Sequence, residues 1–435
     1  VCAVVALGIV LVLVRRAPRD NTTEVPEPFT ADPTVTLPST AAQVTVEQLQ
    51  QEIEQVAEHL RARFAQSPEA LHLAAVMYFE LLRPAEAEKT WRACAELSAN
   101  HLGASVGLAV LATEHGDDEA AVDILQRALS AGGSSPEVYH RLAVALAQLG
   151  RLEEAEDVLK KGLAAFPQSP GNWRQLGQTQ IQLERFSEAE TSLRKAISLA
   201  PEDEVAYFSL ATACARQGKN EEAAEYRRRF TELKAAIAAS AKAEFQTTFL
   251  NALRRIAVTS FGQAATVCSE HEDHSEAEKL LLRAIALDPE HKANYRPLAE
   301  LYRELGRMAD AQVVQRRLVE IEPDNLGNYI DLATVSSELG DTQSAEAAFM
   351  TVLNARPDAA VAYAGLAKLY LQSGKLEQAR WFAEEAVRWE SSVEGHLLVA
   401  TICRKMGESS GAESALEEAR KLAPHDPRLN QDGSP

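Results

Sequence analysis

The nearest approach to a metal cluster in this chain is His271-Glu272-Asp273-His274. Two histidines three residues apart can share one face of a helix, and zinc accepts imidazole and carboxylate ligands. Further ligands are not evident, however, and the run reads as a turn between helices, where polar residues are expected anyway. The five cysteines, Cys2, Cys94, Cys214, Cys268 and Cys403, form no C-x-x-C pair. The last four fall on small, inward-facing positions and read as buried thiols rather than a disulfide framework or a zinc site. No H-E-x-x-H, G-x-x-x-x-G-K-[ST], G-x-S-x-G or G-x-G-x-x-G is present. The expectation is therefore no catalytic residue, no metal, no cofactor and no enzyme.

Composition narrows the partners. The chain has 435 residues and a formal net charge of −19. That length exceeds one compact core, and that charge argues against a nucleic-acid backbone, which is gripped by Lys and Arg. A basic or neutral partner is expected instead.

Stepping along the chain, the first element is the apolar run Val1 to Val14, followed by Arg15, Arg16 and Arg19. Residues 1–16 are expected to be a transmembrane helix, short at its start, making a single-pass membrane protein. The soluble part is expected outside the cytoplasm, with the cytoplasmic face as the alternative because basic residues favour that side. Residues 17–44, with Pro26, Pro28, Pro33 and Pro38 among Thr, Ser and acidic residues, read as a disordered linker. Over 45–67, Val46, Leu49, Ile53, Val56 and Leu60 space an amphipathic helix with Thr45 as N-cap. It is expected to cover the open end of the array that follows, or else to pair with a second chain as a short coiled coil.

The array is announced by alanine. Ala87, Ala121, Ala155, Ala189 and Ala223 recur every 34 residues; after a slip of about 20, Ala277, Ala311, Ala345, Ala379 and Ala412 resume the spacing, the last one residue early. Twelve residues before each stands Ala75, Ala109, Ala143, Gly177, Ala211, Ala265, Ala299, Ala333, Ala367 or Ala400. Two small residues on facing helices allow close approach, so each unit is expected to be an antiparallel helix hairpin. Gly116, Gly150, Gly218, Gly306, Gly340, Gly374 and Gly407 sit where the first helix must end, and Pro167, Pro201, Pro289, Pro323, Pro357 and Pro424 stop the second. Ten units begin near residues 68, 102, 136, 170, 204, 258, 292, 326, 360 and 393.

Trp173, Leu176, Gly177, Ala189 and Pro201 match the tetratricopeptide pattern closely, as do Tyr295, Leu298, Ala299, Tyr302, Gly306, Ala311 and Pro323. Tyr363, Leu366, Ala367, Tyr370, Gly374 and Ala379 match too. The chain thus resembles the tetratricopeptide repeat family. The resemblance implies an all-α solenoid of about ten hairpins, wound into a right-handed superhelix with a concave groove that binds a peptide or protein. Two blocks are expected, 68–237 and 258–426, joined by a helical insertion over 238–257 and followed by a polar tail over 427–435. Carried over from the family's groove positions, His140, Arg174, Gln178, Gln182, Phe208, Arg216 and Arg296 are the candidate partner contacts. The Lys, Asn and Arg set with which some family members grip a C-terminal carboxylate is missing.

Around the insertion, Phe230, Leu233, Ile237, Phe245, Phe249, Leu253 and Ile256 keep helical spacing, and about 20 extra residues add roughly 30 Å of helix. Elongated helices are expected there, as a spacer or as a docking element carrying the basic Arg227, Arg228 and Arg229. The leading expectation is a membrane-tethered interaction scaffold. The alternative is an accessory subunit of an enzyme or secretion complex that docks through the long helices near 219–273.

Overall fold

A computed structural model describes residues 32–430 except 243 and 244. These residues form helices and no strand. A lone helix α1 (Val46–Arg63) precedes five hairpins: α2 (Pro68–Glu80) with α3 (Pro84–Leu97), α4 (Leu102–Glu114) with α5 (Asp118–Ser130), α6 (Pro136–Gln148) with α7 (Leu152–Ala165), α8 (Pro170–Gln182) with α9 (Phe186–Leu199), and α10 (Glu204–Arg216) with α11 (Asn220–Lys242). Five more follow: α12 (Phe245–Glu270) with α13 (His274–Leu287), α14 (Tyr295–Glu304) with α15 (Met308–Ile321), α16 (Leu326–Leu339) with α17 (Thr342–Ala355), α18 (Ala360–Gln372) with α19 (Leu376–Trp389), and α20 (Val393–Lys405) with α21 (Ser409–Leu422). The extra residues of the insertion lengthen α11 and α12 to 23 and 26 residues.

Local chemistry sets the helix ends. Ser67, Ser135 and Ser169 accept a backbone N–H at the starts of α2, α6 and α8, each followed by proline at the first helical position. Between the helices of a hairpin the chain makes one left-handed step. Glycine supplies it at 116, 150, 218, 306, 340, 374 and 407, but Leu82, Glu184 and Glu272 hold the same step with φ of 58°, 59° and 62°. A side chain there costs about 1 kcal/mol relative to glycine.

Both small-residue columns point inward. Every alanine of the first column is at most 3% exposed, and every alanine of the second is at most 4%. Gly177 stands in the second column because α9 comes too close for more: a Cβ there would lie 2.4 Å from Leu193 Cγ. Cys94, Cys214, Cys268 and Cys403 are buried free thiols, as their positions require.

A polar contact joins several units to the next. The residue after the alanine column reaches a partner 29 residues on, at the start of the following second helix. Glu156 meets Arg185, Glu190 meets Lys219 at 2.6 Å, and Gln312 meets Asp341 at 2.8 Å; Arg380 meets Glu408 one residue earlier. Glu54 of α1 meets Arg83 in the same way, so α1 holds the register of a second helix that has no first. The Glu156 side chain is only 4% exposed and also takes hydrogen bonds from Gln180 and an ion pair from Lys160.

Two compact units divide the chain, one of 42–288 and one formed by 289–430 with the described residues 32–41. In the first, α1 buries Leu49, Ile53, Ala57 and Leu60 and packs against both α2 and α12. Arg283 of α13 grips Glu52 through two hydrogen bonds of 2.8 and 2.7 Å. The amphipathic stripe therefore finds its partners within the chain, and Thr45 and Gln48 close a capping box at its start. The proline-containing stretch also departs from a free tether where it is described. Thr34 and Val35 are hydrogen-bonded to Asp310, while Ala42 donates to the Ala286 carbonyl and accepts from Arg254.

The expectation of a single-pass membrane protein with an extracytoplasmic or cytoplasmic soluble part is corrected. Among the described residues, no helix is long and apolar enough to cross a membrane. The apolar run over 1–14 lies outside the described residues, as do Cys2 and residues 431–435 of the tail.

Two measurements test this account. Glu184→Gly should raise stability by about 0.5–1 kcal/mol in urea denaturation, because its side chain opposes the left-handed step and its ion pair with Arg216 is exposed. Arg185→Ala should cost about 2 kcal/mol by leaving buried Glu156 short of a partner, and adding Glu156→Gln should recover part of that loss.

Candidate partner-binding groove

In the unit spanning 42–288, the first helices α6, α8 and α10 pack side by side. His140 lies on α6, Arg174, Gln178 and Gln182 on α8, and Phe208 and Arg216 on α10. These six share one compact unit, whereas Arg296 lies on α14 in the other, exposed and 3.8 Å from Asp331.

Bonds between neighbouring units fix several of these side chains. Arg174 Nη1 donates to Asp203 Oδ2 at 2.8 Å, and the other Asp203 oxygen caps α10 by accepting from Ala206 N at 3.0 Å. Gln178 Nε2 donates to Ser209 Oγ at 3.3 Å. The Arg216 guanidinium stacks 4.8 Å from the Phe186 ring, beside Glu184 at 3.6 Å. Gln182 is exposed. The positive charges of Arg174 and Arg216 are thus matched by acids of adjacent units before any ligand arrives.

Phe208 behaves differently. It is 55% exposed, with its ring centroid 5.3 Å from that of Phe230 on α11 and Val205 exposed one turn before it. His140 adds a ring nitrogen: its Nδ1 is buried with no hydrogen-bond partner. Burial holds this imidazole below its ordinary pKa against the pull of Glu137, with Arg141 and Arg174 adding to the depression. The surface therefore combines an aromatic platform, a neutral imidazole and fixed amides. Such a set suits an apolar side chain flanked by backbone polar groups.

A histidine pair is also present that reading histidines singly does not reveal. His72 occupies on α2 the place that His140 occupies on α6, 68 residues later. Its ring centroid is 4.9 Å from that of His101, and its Nδ1 accepts from Trp91 Nε1 at 3.1 Å. His101 Nδ1 accepts from Ala104 N at 3.1 Å and so caps α4. Burial, then the neighbouring His101, lowers the His72 pKa to about 4. The doubled 34-residue period carries the signal for His72; nothing in the period marks the capping residue His101.

Several other chemistry-bearing groups are satisfied internally, although His274 Nδ1 is buried without a hydrogen-bond partner. His271 Nδ1 lies 2.9 Å from the Val267 carbonyl, and its ring rests 4.8 Å from that of Phe64. Glu190, Cys214 and Glu222 bring ligand atoms within 4.8 Å of one another. Burial opposes ionisation of Glu190, yet hydrogen bonds from Lys219, Arg194 and Gln217 bring its pKa down to about 2. Arg194 also meets Glu222 at 2.5 Å, so these carboxylates already have cations. Of the basic triplet on α11, Arg228 and Arg229 both pair with Glu232, at 3.8 and 3.3 Å.

Family models described as "Tetratricopeptide repeat" match residues 112–181, 270–335 and 336–402, and a second such model matches 72–136 and 174–241. Together they span well over half of the sequence. The chain belongs to the tetratricopeptide repeat family. It is an all-α solenoid and, as a tetratricopeptide array, a protein-interaction scaffold. No curated protein matches the sequence. Among solved structures, it is similar to a crystal structure of MamA, at 19% identity and TM-score 0.35, over 38% of this chain and 96% of that one. It is also similar to YrrB, titled "a TPR protein with an unusual peptide-binding site", at 15% identity and TM-score 0.33, over 39% and 88%. A Naa15/Naa10 complex bound to HypK-THB is matched at 17% identity and TM-score 0.30, over 84% of this chain and 65% of that one.

Because folding keeps His72 neutral, stability should be full above the ordinary histidine pKa and should fall as pH drops from about 6.5 towards 4. His72→Asn keeps an acceptor for Trp91 and should flatten this part of a pH–stability profile measured by urea unfolding; an unchanged slope would clear His72 of the effect.

Proposed function

We propose that the face formed by α6, α8 and α10 binds an extended segment of a protein partner, with Phe208 as its anchor. The observation that carries this reading is an aromatic ring left 55% exposed on a first helix and backed by Phe230, next to a first helix whose Arg174 and Gln178 are already fixed by hydrogen bonds. A rigid aromatic gives up little entropy on contact, and preorganised neighbours reduce what binding must order. Gln178 offers polar contacts to the partner's backbone, while His140, Gln182 and Arg216 border them. With Arg174 already tied to Asp203 and Arg216 beside Glu184, an apolar side chain rather than a carboxylate is the feature recognised.

Selection of a displayed random-peptide library on the full chain tests this. Selected peptides should share a large apolar residue and lose tenfold or more in affinity on Phe208→Ala, with Arg174→Gln weakening them less and Arg296→Ala leaving them unchanged. Peptides indifferent to Phe208→Ala would rule out the assignment.

A further inference from the structure

Asp310 is a carboxylate in an unusual setting. It immediately precedes the alanine column on α15. At the same register, Glu86, Glu154 and Glu188 of other units are exposed to solvent, as expected for the outer side of a second helix. The Asp310 side chain is only 4% exposed, because residues of the proline-containing stretch lie over it. That covering segment supplies what a buried carboxylate needs. Thr34 N and Val35 N donate to Oδ1 at 2.5 and 2.8 Å, and Thr34 Oγ1 donates to Oδ2 at 2.8 Å. Arg307 completes the set, donating from Nε to Oδ2 at 2.7 Å and from Nη2 to Thr34 Oγ1 at 2.9 Å. Its guanidinium carbon lies over the Tyr302 ring, 4.3 Å from the centroid.

The arrangement is selective. Two successive backbone N–H groups on one carboxylate oxygen must point the same way, as they do in a turn and not in a strand, and neither position can be proline. The hydroxyl of residue 34 gives its proton to Asp310 and accepts one from Arg307, so a threonine or serine fits and an apolar isostere costs each charged group one hydrogen bond. Pro33 and Pro38 stiffen the flanks, which lowers the entropy lost when the segment is laid down.

We propose that Asp310 and Arg307 form a recognition site for a turn-forming segment carrying a hydroxyl residue and two successive free N–H groups, and that Thr34–Val35 fills this site in cis. A segment tethered to its own receptor acts at an effective concentration of about millimolar. It therefore excludes a partner segment of the same chemistry until it is displaced. The site lies in the unit that holds α15, so it does not depend on the face around Phe208.

The test uses the full chain and a fluorescent peptide of residues 30–40, TADPTVTLPST. In the wild-type protein, the amides of Thr34 and Val35 should resist hydrogen exchange. The Thr34→Val/Val35→Pro chain, its own segment disabled, should bind the peptide at least tenfold more tightly than wild type. Adding Asp310→Asn or Arg307→Gln to that chain should abolish binding, while adding Phe208→Ala should not. Exchange of both amides at free-chain rates, no binding to the Thr34→Val/Val35→Pro chain, or binding indifferent to both Asp310→Asn and Arg307→Gln overturns the proposal.

Discussion

Two helices can approach only as closely as the side chains between them allow, and this chain spends twenty positions on keeping that distance short. The buried columns that include Ala87 and Ala75, repeated through all ten hairpins, leave almost no side-chain bulk where the two helices of a unit face one another. Close approach brings the larger residues, such as Leu142, Leu159 and Leu193, into full burial around the contact. Dispersion and the removal of apolar surface from water do the rest. The same geometry sets first helices side by side, so the character of the exposed face depends on residues that never touch a ligand.

On that face, electrostatics is arranged for neighbours before partners. Arg174 is held by Asp203, and Arg216 lies over Phe186 beside Glu184, each reaching towards the adjacent unit. These contacts stiffen the array, and they leave aromatic and imidazole groups as the less committed features. Asp310 follows the opposite logic: its charge is answered by the chain's own segment rather than by the neighbouring unit.

The columns were legible because a 34-residue period repeats a steric demand ten times, and noise at one position is averaged by the others. Glycine at 116, 150 or 306 was legible for the same reason, since a left-handed step suits few residues. Leu82, Glu184 and Glu272 make that step without any local signal, held there by the helices on either side. The meeting of α1 with α12 and the bond from Thr34 to Asp310, 276 residues apart, depend on how far the array turns, which no periodicity records. Among the candidate contacts, Phe208 and His140 could be placed on a first helix from spacing alone. Their exposure and unmet nitrogen needed the surrounding side chains.

The ladder between units runs with its polarity changing along the chain: acid to base at Glu156 and Glu190, amide to acid at Gln312, base to acid at Arg380. A joint therefore rejects successors of the wrong polarity. Were the hairpin that begins at Val393 transplanted behind α7, Glu408 would confront Glu156, and a shielded anion would meet its own sign. Units that look interchangeable by their alanines are consequently not freely shuffled, and recombination within such a gene would be policed by the charges at its joints.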